Sequence, residues 1–405
     1  MRERYLEKVS EYGVYLQHIK NPDRELCLTA IRQNGHAIKF VKEQDEELCL
    51  EALKRNSTSM KYIRNQTPIV CLYAVKRGGM NLKYIKNQTE ELCLEAVRRD
   101  GLSIAYSKHK TERICIEALK DTGLAIMYIE NPSDKLKLIA VKTNGESLEY
   151  IENQTEEICL EAVKENGLAL QYVKHQTEQI CLEAVNQNGL AIRFVENKTN
   201  EACLIAVRDN AMALQYVENQ TEEICLEAVK RHGLALEYVK NKTYEICLEA
   251  VKKYGLALEY VEAQTVELCL EAVKNNGRAL KYVKNQTPEL CLEAVRQNGR
   301  ALRHVKNQTK EICLEALKSN IVALVDINNK YLNTLIEDGI IEHRILDNEN
   351  CRKVQAYKFE GKWYFFIGCQ QGISKEEFID RIHNTDGGLE KKPHRQYYLD
   401  FIESL

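Results

Sequence analysis

The stretch Thr155-Glu-Glu-Ile-Cys-Leu-Glu-Ala-Val-Lys-Glu-Asn-Gly167, followed by Leu168-Ala-Leu-Gln-Tyr-Val-Lys174 and then His175-Gln176, decides the fold. Thr155 carries a side-chain oxygen that accepts an orphan helix N–H, and Glu156 and Glu157 suit the positive end of the helix it opens. Ile158, Cys159, Ala162 and Val163 fall on one helical face. Asn166-Gly167 ends that helix, with the glycine expected in the left-handed conformation. The spacing predicts a first helix of about 11 residues and a second, Leu168 to Lys174, of about 7. Neither stands alone, because isolated helices below roughly 12–15 residues are marginal in water.

The same pattern recurs every 22 residues. Cysteine stands at 27, 49, 71, 93, 115, 159, 181, 203, 225, 247, 269, 291 and 313, and Lys137 fills the one missing rung. The capping slot holds Asp23 and Asp45 and then threonine through Thr309, except Ser133; Pro68 and Pro288 take the first helical position, where proline fits. About fifteen units over residues 5–334 follow without an insertion, the signature of a stacked array whose units bury their faces on identical neighbours. The fold class is an all-α solenoid of about fifteen 22-residue helix-turn-helix repeats with a small C-terminal α+β module over residues 335–405. At roughly 8–10 Å per helix packing step the array traces about 120–150 Å. Ser57, Ala211 and Ile321 replace the repeat glycine, so those corners are expected to be strained or remodelled. Lys137 sits in the apolar face, where it must snorkel out or distort its unit, and Lys137→Cys is expected to stabilise the chain.

Past residue 335 the period is lost. Lys353–Phe359 and Lys362–Ile367 read as a β-hairpin around Glu360-Gly361, Ser374-Lys-Glu-Glu377 opens a helix with a capping box, and a last helix runs from Pro393 to Ile402. The N-Q-T-E-E-I-C-L-E-A-V-K-x-N-G-L-A-L-x-Y-V pattern of residues 5 to about 334 resembles the DUF4116 repeat family, found in giant viruses of amoebae and in bacteria that live in protists. The resemblance implies the repeat architecture and a viral or host-manipulation setting. It carries over no catalytic or binding residue, since the family has none assigned.

Composition narrows the function classes. No apolar run approaches the roughly 20 residues of a membrane span, and Met1 to Val9 lacks an apolar leader core, so a reducing, cytoplasmic setting and no membrane are expected. Each repeat cysteine stands alone, without CxxC or a paired histidine, and reads as a small buried hydrophobe; no metal or other cofactor is called for. The Asn-x-Thr sites are explained by helix capping. Cys369 with His383, His394 and Asp386 is the one constellation offering nucleophile, base and orienter, a distant alternative to a non-enzymatic chain.

Charge is uneven beneath a net −3: residues 49–114 carry 13 basic against 6 acidic groups, 115–268 carry 15 against 26, and 269–334 carry 11 against 6. The variation concentrates six and fifteen residues after the cysteine. The candidate partner-binding residues are Arg55, Arg64, Arg77, Lys86, Arg99 and Lys108 in the first basic block, Arg278, Arg300 and Lys306 in the second, and Trp363 in the C-terminal module. A protein partner is expected, with RNA through the two basic blocks as the alternative, because the acidic middle repels a continuous polyanion.

Overall fold

The structure, a computed structural model, describes residues 1–347, 352–368, 370–384 and 392–405. Fifteen α-helices, from Arg2–Glu11 to Lys310–Ser319, alternate with fifteen 3-10 helices, from Gly13–His18 to Ile321–Asp326. One of each makes a repeat; repeat 8 is Glu156–Glu165 with Gly167–Tyr172. The α-helix buries the predicted face, Ile158, Cys159, Ala162 and Val163. Thr155 Oγ1 accepts the Ile158 N–H at 3.3 Å. Thr111 and Ser133 make no such cap, and Thr111 instead donates to Glu90.

The second helix differs from expectation. It is a six-residue 3-10 helix; Asn166 closes the first helix with its N–H on the Ala162 carbonyl and caps the second, its Oδ1 accepting the Leu168 N–H at 3.0 Å. Gly167, Leu170 and Val173 are all buried, and they recur every three residues. Residues i and i+3 of a 3-10 helix eclipse, so this period buries one whole edge. Counting from the cysteine, offsets 9, 12 and 15 then form the outward edge.

The glycine at offset 8 is also needed for another reason than the one expected. None of the repeat glycines is left-handed. A Cβ added at any of these twelve, from Gly13 to Gly299, would meet the next repeat's alanine carbonyl oxygen at 2.2–2.5 Å. Close stacking, not turn geometry, requires glycine. Ser57 and Ile321 are half-buried where the glycines are buried. The chain forms two compact units, Met1–Val217 and Glu218–Leu405, and the boundary comes directly after the 3-10 helix that begins at Ala211.

A glutamine five residues before the cysteine, given no role by the sequence reading, ties successive repeats together. Gln286 Nε2 donates to the His304 carbonyl at 2.8 Å, and its Oε1 accepts the Lys306 N–H at 2.9 Å. Gln66, Gln88, Gln154, Gln176 and Gln264 make the same double contact with the repeat that follows each. Lys110 substitutes with one bond, Nζ to the Tyr128 carbonyl. Lys137 is not the misfit expected: its Nζ reaches Asp134 at 2.8 Å and the Asn153 carbonyl at 3.2 Å, which removes the ground for expecting a gain from cysteine there.

In the C-terminal region a helix over Asn329–Glu337 crosses residue 335 and leads into an antiparallel sheet, order β1 (Ile341–Leu346), β2 (Val354–Phe359), β3 (Lys362–Ile367), β4 (Gln370–Ser374). The predicted hairpin is β2–β3, while β1 and β4 were not anticipated. Ser374 Oγ accepts the Glu377 N–H, opening the Lys375–Asn384 helix as the capping box predicts. That helix and Lys392–Glu403 cover one sheet face through Phe365, Phe378, Ile382, Tyr398 and Ile402. Gly372 of β4 lies against Val322 and Ile321. Repeat 15 is thus followed by Asn329–Glu337 and a strand rather than by a sixteenth repeat with its alanine carbonyl, and its offset 8 holds isoleucine.

Candidate partner-binding surface

Thirteen free thiols are buried in the α-helix stack, and burial pushes those of Cys49 and Cys313 up to about 11. A protonated, buried thiol is neither nucleophile nor ligand at neutral pH. Among the described residues no group of three metal-ligating side chains converges, and no helix is long and apolar enough to cross a membrane. Cys351, Cys369, Asp386 and the His394 side chain lie outside the described residues, and His383 contacts Arg395.

The two charge-varying offsets turn out to serve the stack. At offset 6, acceptor side chains take the glycine N–H of the preceding repeat: Asp121 from Gly101, Gln187 from Gly167, Asp209 from Gly189 and Gln297 from Gly277, at 2.6–2.7 Å. Cations there donate backward instead, Arg55 to the Gln33 carbonyl at 3.3 Å and Arg77 to the Lys54 carbonyl at 3.4 Å. Arg99 is exposed at the same offset. At offset 15, Lys108 Nζ donates to the Lys86 carbonyl at 2.8 Å, Lys306 Nζ to the Lys284 carbonyl at 3.1 Å, and Arg64 to the Val41 and Lys42 carbonyls. These side chains are exposed, yet each spends a donor on its neighbour. Charge varies here without leaving every group free. Trp363 is half-buried on β3, with Lys358 Nζ 5.7 Å from its ring.

The row at offsets 9 and 12 makes fewer contacts of that kind, among them His36 with Thr58. In repeats 13 (Val266–Tyr282) and 14 (Pro288–His304) it places Arg278 and Lys281 on one 3-10 helix and Arg300 and Arg303 on the next, each pair three residues apart and so eclipsed. The four cations, with Leu256, Tyr282 and His304, line a cleft of about 360 Å³. Arg303 reaches Asp326 at 3.4 Å. Lys281 Nζ stands 5.0 Å over the Tyr282 ring. Arg300 Nε is buried without a hydrogen-bond partner. Burial, then Arg303 and Lys281, hold the His304 imidazole below its ordinary pKa. Of the residues singled out from sequence, the structure brings Arg278 and Arg300 together and leaves Lys306 on the bonded row. Lys281, Arg303 and His304 were missed. Their signal was the period of three, against which offset 9 carries leucine in Leu168, Leu190, Leu234 and Leu256 and then changes to arginine.

Six stretches of the chain, residues 23–66, 135–176, 155–199, 221–264, 243–288 and 265–309, match the family model described as "Domain of unknown function (DUF4116)". The chain is a DUF4116 repeat protein. No curated protein and no solved structure matches it. Each matched stretch spans two successive repeats, the smallest piece containing the glutamine bridge and the glycine contact. Both contacts therefore fall inside the stretches that the DUF4116 model matches.

Proposed function

We propose that this DUF4116 protein is a non-enzymatic scaffold, working in a reducing compartment such as the cytoplasm, that binds an acidic protein surface on the outer edge of its 3-10 helices. The observation that carries the reading is the cleft of repeats 13 and 14, where Arg278, Lys281, Arg300 and Arg303 converge and one carboxylate, Asp326, pairs with Arg303. Clustered like charge on a rigid frame costs stability unless a partner neutralises it, and complementary charge steers that partner's approach.

RNA is the second reading, and the first basic block is where it would have to act. There Lys61 and Lys83 stand 4.7–4.8 Å over Tyr62 and Tyr84, as Lys39 does over Phe40 just before the block. Stacking of bases needs open ring faces, and these faces already hold an ammonium. Exposed Glu237 and Glu259 at offset 12 of repeats 11 and 12 also interrupt a basic track toward the cleft.

The test compares a poly-glutamate peptide with a single-stranded RNA of matched charge on the full chain, at low and physiological salt. The peptide is expected to bind more tightly at physiological salt, and the Arg278→Glu/Arg300→Glu pair should weaken it at least thirtyfold. Submicromolar RNA binding that falls by about 0.7 log units per contact for each tenfold rise in salt, and that is lost when Arg55, Arg77 and Arg99 become Glu, would replace the protein reading with the RNA one.

A further inference from the structure

We infer that the cleft of repeats 13 and 14 takes a phosphomonoester dianion, and this deepens the acidic-partner reading on which it rests. Two 3-10 helices present two cations each, and the repeat stack fixes their spacing without any partner present. Arg303 is partly neutralised by Asp326, while no hydrogen bond or ion pair joins Arg278, Lys281 or Arg300 to a carboxylate among the described residues. Arg278 and Arg300, with Lys281 held only over the Tyr282 ring, bring more positive charge into about 360 Å³ than one carboxylate neutralises. A phosphomonoester brings a charge of about −1.5 to −2 and three strong acceptor oxygens.

Geometry favours the same class. Guanidinium forks pair two N–H donors with two oxygens of one anion, and Arg278 and Arg300 put two forks on successive rungs of one row. Arg300 Nε is buried and unpartnered, so its N–H lacks the acceptor that a buried donor requires. Leu256 gives the rim a half-buried aliphatic side chain, suited to the carbon portion that bears the phosphate, while the Tyr282 ring holds Lys281 beside it. Exposed Glu237 and Glu259, on the two preceding repeats, discourage a chain of phosphodiesters and leave room for one compact dianion. Two sources share this chemistry: a phosphorylated side chain on a protein partner, and a free phosphorylated small molecule.

The probes are chosen to need no sequence context. Calorimetric titration of the full chain with phenyl phosphate and with phenylacetate, at pH 7.5 and fixed salt, is expected to show at least tenfold tighter binding of the phosphate. Arg300→Gln and Arg278→Gln should each weaken phenyl phosphate at least tenfold. Arg300→Lys, which keeps the charge and loses the fork, should weaken it at least threefold, and Arg113→Gln, at an exposed position in the other compact unit, should leave it unchanged. Circular dichroism checks that each variant keeps its helix content. A phosphoserine peptide binding more tightly than free phosphoserine assigns the source to a side chain; equal affinities assign it to a small molecule, and both support the site. Equal affinity for phenyl phosphate and phenylacetate, no measurable phosphate binding, or binding indifferent to Arg300→Gln overturns the proposal. Should it fall while poly-glutamate still binds and is still lost in Arg278→Glu/Arg300→Glu, the acidic-partner reading survives without it.

Discussion

Repeats 2–5 and repeats 13–14 use one frame and the same outward offsets, and Lys281 stands over Tyr282 as its counterparts do in the first region, yet only the second region adds arginines beyond that pairing. In the first region offset 12 supplies Lys39, Lys61 and Lys83, and each ammonium stands over an aromatic ring of its own repeat. Offset 9 there is uncharged at neutral pH, with His36 bonded to Thr58 and then Met80 and Leu102. In the second region offset 9 turns to arginine, a second cation joins each rung, and Arg300 is left with a buried, unpartnered N–H. A basic block by composition is therefore not a site; the cations must exceed what the frame itself satisfies. Both regions should share the same stacking energetics and differ in ligand binding.

The largest expected effect breaks the frame in both. A Cβ at Gly277 would lie 2.3 Å from the Ala294 carbonyl oxygen, and one at Gly79 would lie 2.4 Å from that of Ala96. Backbone cannot yield as a flexible side chain does, so Gly277→Ala and Gly79→Ala should each cost about 3 kcal/mol, at the upper end for overpacking. Long arrays depart from two-state unfolding, so the loss is best read as faster amide exchange in the two repeats flanking each glycine. Gly277→Ala should also abolish phenyl phosphate binding, which Gly79→Ala should leave intact. Unchanged exchange in both variants would show that the stack relaxes around a methyl group.

Next in size is the glutamine bridge, which the two regions share. Gln286→Ala strips partners from the His304 carbonyl and the Lys306 N–H, and Gln66→Ala does the same to Tyr84 and Lys86. Two lost bonds in half-buried surroundings should cost about 2 kcal/mol in either region. Urea titration with exchange readout checks it, and unequal costs would mean that the frame is not uniform.

Most of the architecture was legible because each repeat states it again. The 22-residue period, the threonine caps and the apolar face of Ile158, Cys159, Ala162 and Val163 needed only local rules. The second helix was misjudged because the Asn166-Gly167 pair reads equally well as a helix end, while its actual use, an Asn cap and a space-limited glycine, depends on the neighbouring repeat. Gly167, Leu170 and Val173 did carry the period of three. Offsets 6 and 15 misled for the same reason: Arg55 and Lys108 look like surface charges until the carbonyls of Gln33 and Lys86 appear beside them. The glutamine had a visible signal, its recurrence from Gln44 to Gln308 with lysine or proline as its only replacements, and no rule of secondary structure to interpret it. β1 and β4 lack the alternation that betrays a half-buried strand.

A smaller effect would make the first region more like the second. Offset 10 is alanine in repeats 13 and 14, Ala279 and Ala301, but serine at Ser59, Ser103 and Ser147, whose hydroxyls are buried without a partner. Removing an unsatisfied buried hydroxyl relieves its desolvation cost, so Ser103→Ala should stabilise repeat 5 by about 1 kcal/mol. A loss on substitution would reveal an acceptor for the Ser103 hydroxyl.

The smallest effect tests the electrostatics of the cleft without a ligand. In the folded chain the His304 pKa is held below 6.5 by burial first, then by Arg303 and Lys281, with Asp326 opposing and Arg278 adding to the depression. In the unfolded chain the imidazole titrates near its ordinary pKa of about 6.5. Between that value and the lower folded pKa the unfolded state binds more protons, so stability falls as pH falls through this window and is fully present above it. His304→Tyr places at offset 13 the residue that repeat 13 has as Tyr282 and removes the titrating group. The slope of stability against pH, measured by urea titration between pH 5 and 6.5, should become shallower. It should not vanish, because burial depresses His36 and His343 in the same direction. His36→Leu, matching Leu102 at offset 9, should flatten it in the first region, where Lys61 and Lys39 assist burial. If His304→Tyr leaves the slope unchanged while His36→Leu reduces it, the cations of repeats 13 and 14 do not crowd the imidazole, and the contrast between the two regions loses its electrostatic basis.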